Sequence, residues 1–165
     1  MDAATERALT EVEHCLARYQ RRLSRVLDAM RGYAVTEAEL SDLGRDSRLF
    51  TTAAERLYRA LGDSERDAIG RLRTAKSGAR VWHQTIGRYA EAMRTLLAGT
   101  GTPEDDRVAE EFIEQARVRR RFAQAAETRA VRLRALDGAL RRLRRRHGGG
   151  GPRSDGAPPN RTIGD

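Results

Sequence analysis

Residues 9–33 of the chain read LTEVEHCLARYQRRLSRVLDAMRGY. Apolar side chains recur in this stretch at alternating steps of three and four residues, which places them on one stripe of an α-helix. The spacing predicts a helix from about residue 4 to 33, with a stripe as narrow as a coiled-coil seam. The stripe consists of Leu9, Val12, Leu16, Tyr19, Leu23, Val26, Met30 and Tyr33.

The same spacing returns twice before residue 97, which indicates further amphipathic helices. The second stripe consists of Phe50, Ala54, Leu57 and Leu61. The third consists of Ala68, Leu72, Ala75, Ala79, Trp82, Ile86, Tyr89, Met93 and Leu96. Tryptophan is favoured at interaction hot spots, but the position of Trp82 on the third stripe favours a core role over a partner contact.

The register slips between the first two stripes, around Gly32 and Gly44. Within this slip, Thr36 and Glu39 have the spacing of a capping box, in which each residue bonds the backbone N–H of the other. A turn, a kink or a stammer would each explain the slip. The pattern therefore leaves open whether residues 4–62 form one kinked helix or two.

Two further breaks carry the signals of helix starts. At Gly62-Asp63-Ser64 we predict a turn, with Ser64 as N-cap and Asp67 three residues later. Residues 99–105 read as a loop in which Thr102 caps a new helix and Pro103 takes its first position. The chain is thus predicted to turn at least twice more after residue 61.

The last helix is predicted to run from Pro103 to about His147. Its stripe includes Val108, Phe112, Phe122, Ala126, Leu133, Leu136, Leu140 and Leu143. Because Gln115, Arg119 and Arg129 interrupt the stripe, we expect the middle of this helix to be less buried than its two ends. Residues 1–147 are predicted to form the helical domain, and residues 148–165 a disordered tail rich in Gly and Pro.

The composition agrees with helices and excludes several classes of protein. Of 165 residues, 39 % are hydrophobic and only 5 % aromatic, too few aromatics for a typical β-sandwich or barrel. No apolar run is long enough to cross a bilayer, and the N-terminus lacks the apolar core of a secretory signal. The single cysteine, Cys15, cannot form an internal disulfide. We expect a cytoplasmic location, with a nuclear or membrane-associated fraction as alternatives.

The charge is basic and unevenly distributed. The net charge is +8, and arginine supplies 31 of the 32 basic side chains, a bias that a GC-rich genome would also produce. Residues 103–114 contain six acids and one arginine, whereas residues 115–147 contain twelve arginines and two acids. The densest cluster is a predicted anion-binding patch consisting of Arg141, Arg142, Arg144, Arg145 and Arg146. This patch fits a solvated helix end, an anionic membrane or a nucleic acid.

Catalytic and metal motifs are missing from the sequence. His14, His83 and His147 lie in different segments, without the spacing of a zinc site. There is no Gly-rich phosphate loop and no nucleophile elbow. We expect no enzyme activity, no catalytic residue, no metal and no cofactor.

Narrow stripes on long helices must be covered by other helices. We therefore predict an all-α protein, an elongated antiparallel bundle of three or four helices with coiled-coil-like seams. The predicted function is a non-catalytic scaffold or adaptor that self-associates, as a dimer, or binds another helical protein. The partner seam would consist of Leu9, Val12, Leu16, Tyr19, Leu23, Leu133, Leu136, Leu140 and Leu143. Two alternatives use the arginines: a peripheral membrane-binding bundle of BAR-like shape, and a non-specific nucleic-acid-binding accessory protein.

Overall fold

A computed structural model of the protein describes residues 1–98 and 106–148, without the side chains of residues 68, 71–77, 96–98 and 106–108. The described chain is helical, and it contains no strand, so the predicted all-α class is confirmed. Its helices are α1 (Ala3–Arg31), α2 (Glu37–Ala60), α3 (Asp63–Ala68), α4 (Arg71–Ala98) and α5 (Asp106–Gly148). None of them is long and apolar enough to cross a membrane.

The four long helices form an antiparallel bundle. Helix α1 packs against α2 and α5, and α4 packs against the same two helices from the opposite side. Arg18 of α1 binds Asp46 of α2 at 2.9 Å, while Arg144, near the end of α5, binds Glu6 near the start of α1. The short helix α3 lies beside the C-terminus of α5, where His147 Nε2 is 2.5 Å from Glu65 Oε1.

The core follows the predicted stripes over most of their length. The first seven residues of the α1 stripe, from Leu9 to Met30, are at most 5 % exposed. Phe122 of α5 stacks on both Trp82 and Tyr89 of α4, with ring centres 5.5 and 4.6 Å apart. Trp82 is 4 % exposed, which confirms its predicted place in the core.

The break after the first stripe separates two helices. The predicted capping box is confirmed: Thr36 Oγ1 accepts from the Glu39 N–H at 3.2 Å, and Glu39 Oε2 accepts from the Thr36 N–H at 2.8 Å. Tyr33, predicted on the α1 stripe, instead follows the helix end with a φ of 55° and is 82 % exposed. Helix α1 ends at Arg31, and the Tyr33 and Ala34 N–H groups donate to the carbonyls of Met30 and Ala29 in the turn that leads to Thr36.

The second break differs in detail from the prediction. Gly62, not Ser64, is the N-cap of α3, because the Glu65 carboxylate accepts the Gly62 N–H at 3.2 Å. The third stripe was also predicted as one continuous helix, but α3 and α4 are separated at residues 69–70. Ile69, at this separation, is buried although it does not belong to the predicted stripe.

Helix α5 is buried at its C-terminal end, as predicted, but its middle and its start differ from the prediction. Its middle is buried, including Phe122, Ala126 and Arg129, whereas Phe112 near its start is 59 % exposed. The prediction of a poorly buried middle was wrong because Arg129 contacts Tyr19 and the Trp82 ring instead of solvent. The predicted cap at Thr102 and Pro103, residues 149–165 of the predicted tail and the side chain of Val108 lie outside the described residues. Gly148, predicted as the first residue of the tail, is instead the last residue of α5.

Candidate functional site

The predicted partner seam lies inside the chain. Its nine members are at most 3 % exposed: Leu9, Val12, Leu16, Tyr19, Leu23, Leu133, Leu136, Leu140 and Leu143. The α1 members and the α5 members all belong to the one hydrophobic core of the bundle. They therefore present no surface to a second protein in this conformation. A partner would have to displace a helix of the bundle to reach them.

Only some arginines of the predicted anion-binding patch form ion pairs with carboxylates of the described chain. Arg144 Nη1 contacts Glu6 Oε1 at 2.5 Å, and its Nη2 contacts Glu13 Oε2 at 2.6 Å. Hydrogen bonds to Glu13 and then to Glu6 raise the pKa of Arg144 above its ordinary value. Arg141 binds Asp137 of its own helix at 2.7 Å. Arg142, Arg145 and Arg146 are exposed, and no described acid forms an ion pair with them.

Arg144 links the C-terminal end of α5 to the N-terminal half of α1. A hydrogen bond from its Nη2 to Thr10 Oγ1 at 3.0 Å completes the contact. Multiple hydrogen bonds from one guanidinium to carboxylates fix both the distance and the orientation of the two helices. This arginine therefore has a structural role, unlike its neighbours in the patch.

A buried polar layer crosses the centre of the bundle. Arg129 Nε donates to Tyr19 Oη at 3.3 Å, and His83 Nε2 lies 3.1 Å from Ser47 Oγ. Burial raises the pKa of Tyr19, although the charge of Arg129 and hydrogen bonds with Ser47 and Arg129 act against this rise. Each of the four long helices contributes to this layer, which fixes their mutual register.

The serine and histidine in this layer do not form an accessible catalytic pair. Ser47 is 1 % exposed, so a substrate cannot reach its hydroxyl without an opening of the bundle. Burial, followed by the charges of Arg48 and Arg129, lowers the pKa of His83. The described residues contain no group of three His, Cys, Asp or Glu side chains arranged to hold a metal ion.

Among the described residues, exposed apolar side chains lie together at one end of the bundle, which we call the open end. It contains residues 27–35 at the end of α1 and in the following turn, residues 89–93 of α4, and residues 109–121 of α5. Tyr33, Phe112 and Ile113 are all more than half exposed there. A groove with a volume of about 770 Å³ lies between these elements. Its lining residues include Leu27, Met30, Val35, Tyr89, Met93, Phe112, Ala116, Arg119, Arg120 and Ala123.

Arg119 fixes the inner wall of this groove. Its Nη2 donates to the Met30 carbonyl oxygen at 2.6 Å, near the C-terminus of α1. Its Cζ also lies 4.1 Å from the centre of the Tyr33 ring, a cation–π distance. Burial raises the pKa of Tyr89, and a hydrogen bond with Arg119 opposes that rise. Arg119 thus marks the point where α1 ends beside α5.

Residues 109–118 of α5 continue past this point without α1 beside them. Here Gln115 has a buried side-chain oxygen with no hydrogen-bond partner among the described residues, which leaves one acceptor unsatisfied. The sequence contained one overlooked signal, the adjacent pair Phe112 and Ile113. Adjacent helical residues point about 100° apart, so the two side chains cannot both face one narrow stripe.

Comparison of the chain with protein-family models, with curated proteins and with solved structures gives no match. The function of the protein must therefore be inferred from its surfaces and contacts.

Proposed function

We propose that the protein is a non-catalytic helical scaffold that binds protein chains through the open end of its bundle. The observation that carries this proposal is the groove of about 770 Å³ beside the exposed side chains of Tyr33, Phe112 and Ile113. Contiguous exposed apolar surface with a polar rim is characteristic of interaction sites. This surface replaces the buried partner seam as the place of contact.

The chemistry of the open end suits a protein partner. Aromatic residues, methionine and arginine are enriched at protein interfaces, and all three occur here, as Tyr33, Met30, Met93 and Arg119. Methionine side chains adapt to irregular apolar surfaces, which favours a helix bound in a groove. The other large exposed apolar residues that the structure describes, such as Leu49, Val81 and Val131, are distributed over different parts of the bundle.

Site-specific photo-crosslinking tests the proposal. A photoreactive phenylalanine analogue replaces Phe112 in one variant and Val131 in a matched control, because both positions are more than half exposed on α5. After irradiation in the cells that produce the protein, we expect discrete crosslinked protein bands from position 112 that are absent from position 131. Equal crosslinking from the two positions would exclude the open end as a preferred protein contact.

A second candidate function, binding to an anionic membrane surface, has support from the outer face of α5. Its exposed arginines that form no ion pair within the described chain are Arg120, Arg121, Arg132, Arg134, Arg142, Arg145 and Arg146. Each basic residue near an anionic membrane contributes about 1 kcal/mol of attraction. Guanidinium groups also bind phosphates through paired hydrogen bonds.

Co-sedimentation with vesicles tests this second function. We expect nuclease-treated protein to pellet with anionic vesicles and not with neutral ones. The variant in which Arg142, Arg145 and Arg146 become Gln should lose pelleting, while Arg141→Gln, which removes an arginine already paired with Asp137, should retain most of it. Absence of pelleting, with a steep loss of nucleic-acid binding as salt increases, would favour nucleic acid instead.

A further inference from the structure

The start of α5 has an apolar face that nothing in the described chain covers. Ala109, Phe112, Ile113 and Ala116 are exposed and follow each other at steps of three, one and three residues. Together with half-buried Ala123, they lie on one side of the helix by its 3.6-residue period. Phe112, Ala116 and Ala123 also line the groove of the open end. This face is the strongest candidate for a docking surface.

Charges beside this face have a self-complementary order. Along one edge of the apolar face, Glu110 and Glu114 come first, and Arg117 and Arg121 follow, all four exposed. Along the helix, the position halfway between Glu110 and Arg121 is also halfway between Glu114 and Arg117. This position lies next to Ala116. A two-fold axis at that point would bring each glutamate opposite an arginine of an identical helix.

We propose that the open end is a homodimer interface in which two copies of α5 cross antiparallel at Ala116. Residues whose numbers add up to about 232 then face each other, so Phe112 lies opposite Arg120 of the second copy and Ala109 lies opposite Ala123. The small side chain of Ala116 allows the two helices to approach closely at the axis. Phe112 and Ile113 of each copy enter the groove of the other, which removes their apolar surface from water.

The charge order favours a second copy over an unrelated helix. In an antiparallel helix pair, flanking residues on the same edge of the two helices meet each other, and such charge pairs determine partner choice and orientation. Along this edge, Glu110 of each copy faces Arg121 of the other copy, and Glu114 faces Arg117. The two-fold axis repeats each pair, so the dimer would contain four such ion pairs. Within one chain, Glu114 and Arg117 contact only weakly, with Arg117 Nη1 and Glu114 Oε2 3.6 Å apart and both side chains more than half exposed.

This inference rests on the proposed scaffold function, and charge-swapped variants test it separately. One variant carries Glu110→Arg and Glu114→Arg, and the other carries Arg117→Glu and Arg121→Glu. In sedimentation equilibrium we expect a wild-type dimer and a dissociation constant at least about tenfold higher for each variant alone. An equimolar mixture of the two variants should regain the wild-type dimer affinity, because every facing pair is again of opposite charge.

A third variant, Ile113→Ser, should also weaken the dimer while leaving the free energy of unfolding of the monomer unchanged, because Ile113 is 55 % exposed in the single chain. A dimer that persists in all variants would place the interface elsewhere and overturn the inference, but not the scaffold function. If the wild-type protein is a monomer and position 112 crosslinks to a different protein, the homodimer inference is overturned, but the scaffold function is not. A monomer without selective crosslinks would overturn both proposals.

Discussion

The C-terminal half of α5, residues 122–143, and its N-terminal half, residues 109–121, belong to one continuous helix but have different surroundings. In the C-terminal half, Phe122, Leu133 and Leu140 are at most 3 % exposed, because α1 and α4 cover them. In the N-terminal half, Phe112 and Ile113 are more than half exposed. The comparison shows that one helix can supply both the core of a bundle and an uncovered apolar face.

The lengths of the helices explain the difference. At 1.5 Å per residue, the 43 residues of α5 extend about 64 Å, and the 29 residues of α1 extend about 43 Å. Arg144 binds near the start of α1, and Arg119 binds at its end, so the described residues of α5 before Arg119 project beyond α1. The face is therefore uncovered because α5 is longer than α1.

The largest effect on the free energy of unfolding is expected from Phe122→Ala on α5, with Phe112→Ala on the same helix as its control. Phe122→Ala should lower the free energy of unfolding by about 3–5 kcal/mol, because it removes a fully buried ring stacked on two others. Phe112→Ala should change it by less than about 0.5 kcal/mol, because that ring is largely exposed. Urea denaturation of both variants at low protein concentration, where self-association does not contribute, measures the difference. An equal loss of unfolding free energy in the two variants would contradict the difference in burial between the two halves of α5.

A smaller effect is expected from the arginine that joins α5 to the start of α1. Arg144→Met should lower the free energy of unfolding by about 1 kcal/mol, because its partly exposed ion pairs with Glu6 and Glu13 are lost. Arg145→Met is the matched control, since Arg145 is exposed, and it should have almost no effect. Denaturation at low and high salt should show that salt reduces the difference between the two variants. A similar loss from both would contradict a specific contact at Arg144.

The smallest effect is expected from the pH dependence of the buried layer. Burial, with the charges of Arg48 and Arg129, lowers the pKa of His83 from 6.5, so just below that pH the unfolded chain binds a proton more readily than the folded chain. The free energy of unfolding should therefore fall as the pH is lowered through 6.5, until the folded imidazole is also protonated. His83→Gln should reduce this slope in denaturation curves, whereas His14→Gln, at an exposed position, should not. An unchanged slope in His83→Gln would indicate that the imidazole is equally solvated in both states.

The amino-acid pattern alone predicts the helical segments and most of the residues that they bury. The spacing of apolar residues is a local property of each segment, and the capping box at Thr36 depends on residues three apart. These features identified α1, most of α4 and α5, the helical stripe of α2 and the buried position of Trp82, but they left open whether α1 and α2 form one kinked helix or two. The break at residues 69–70 was not predicted, because Ala68 and Leu72 keep the helical spacing across it.

Which parts of each stripe are covered depends on how the helices pack against one another. Arg129 interrupts the α5 stripe in the sequence, yet it is 8 % exposed because Tyr19 and Trp82 from two other helices contact it. Phe112 continues the same stripe and remains exposed because α1 ends before it can reach that position. Periodicity fixes the direction in which a side chain points from its own helix, whereas burial depends on the lengths and registers of the neighbouring helices.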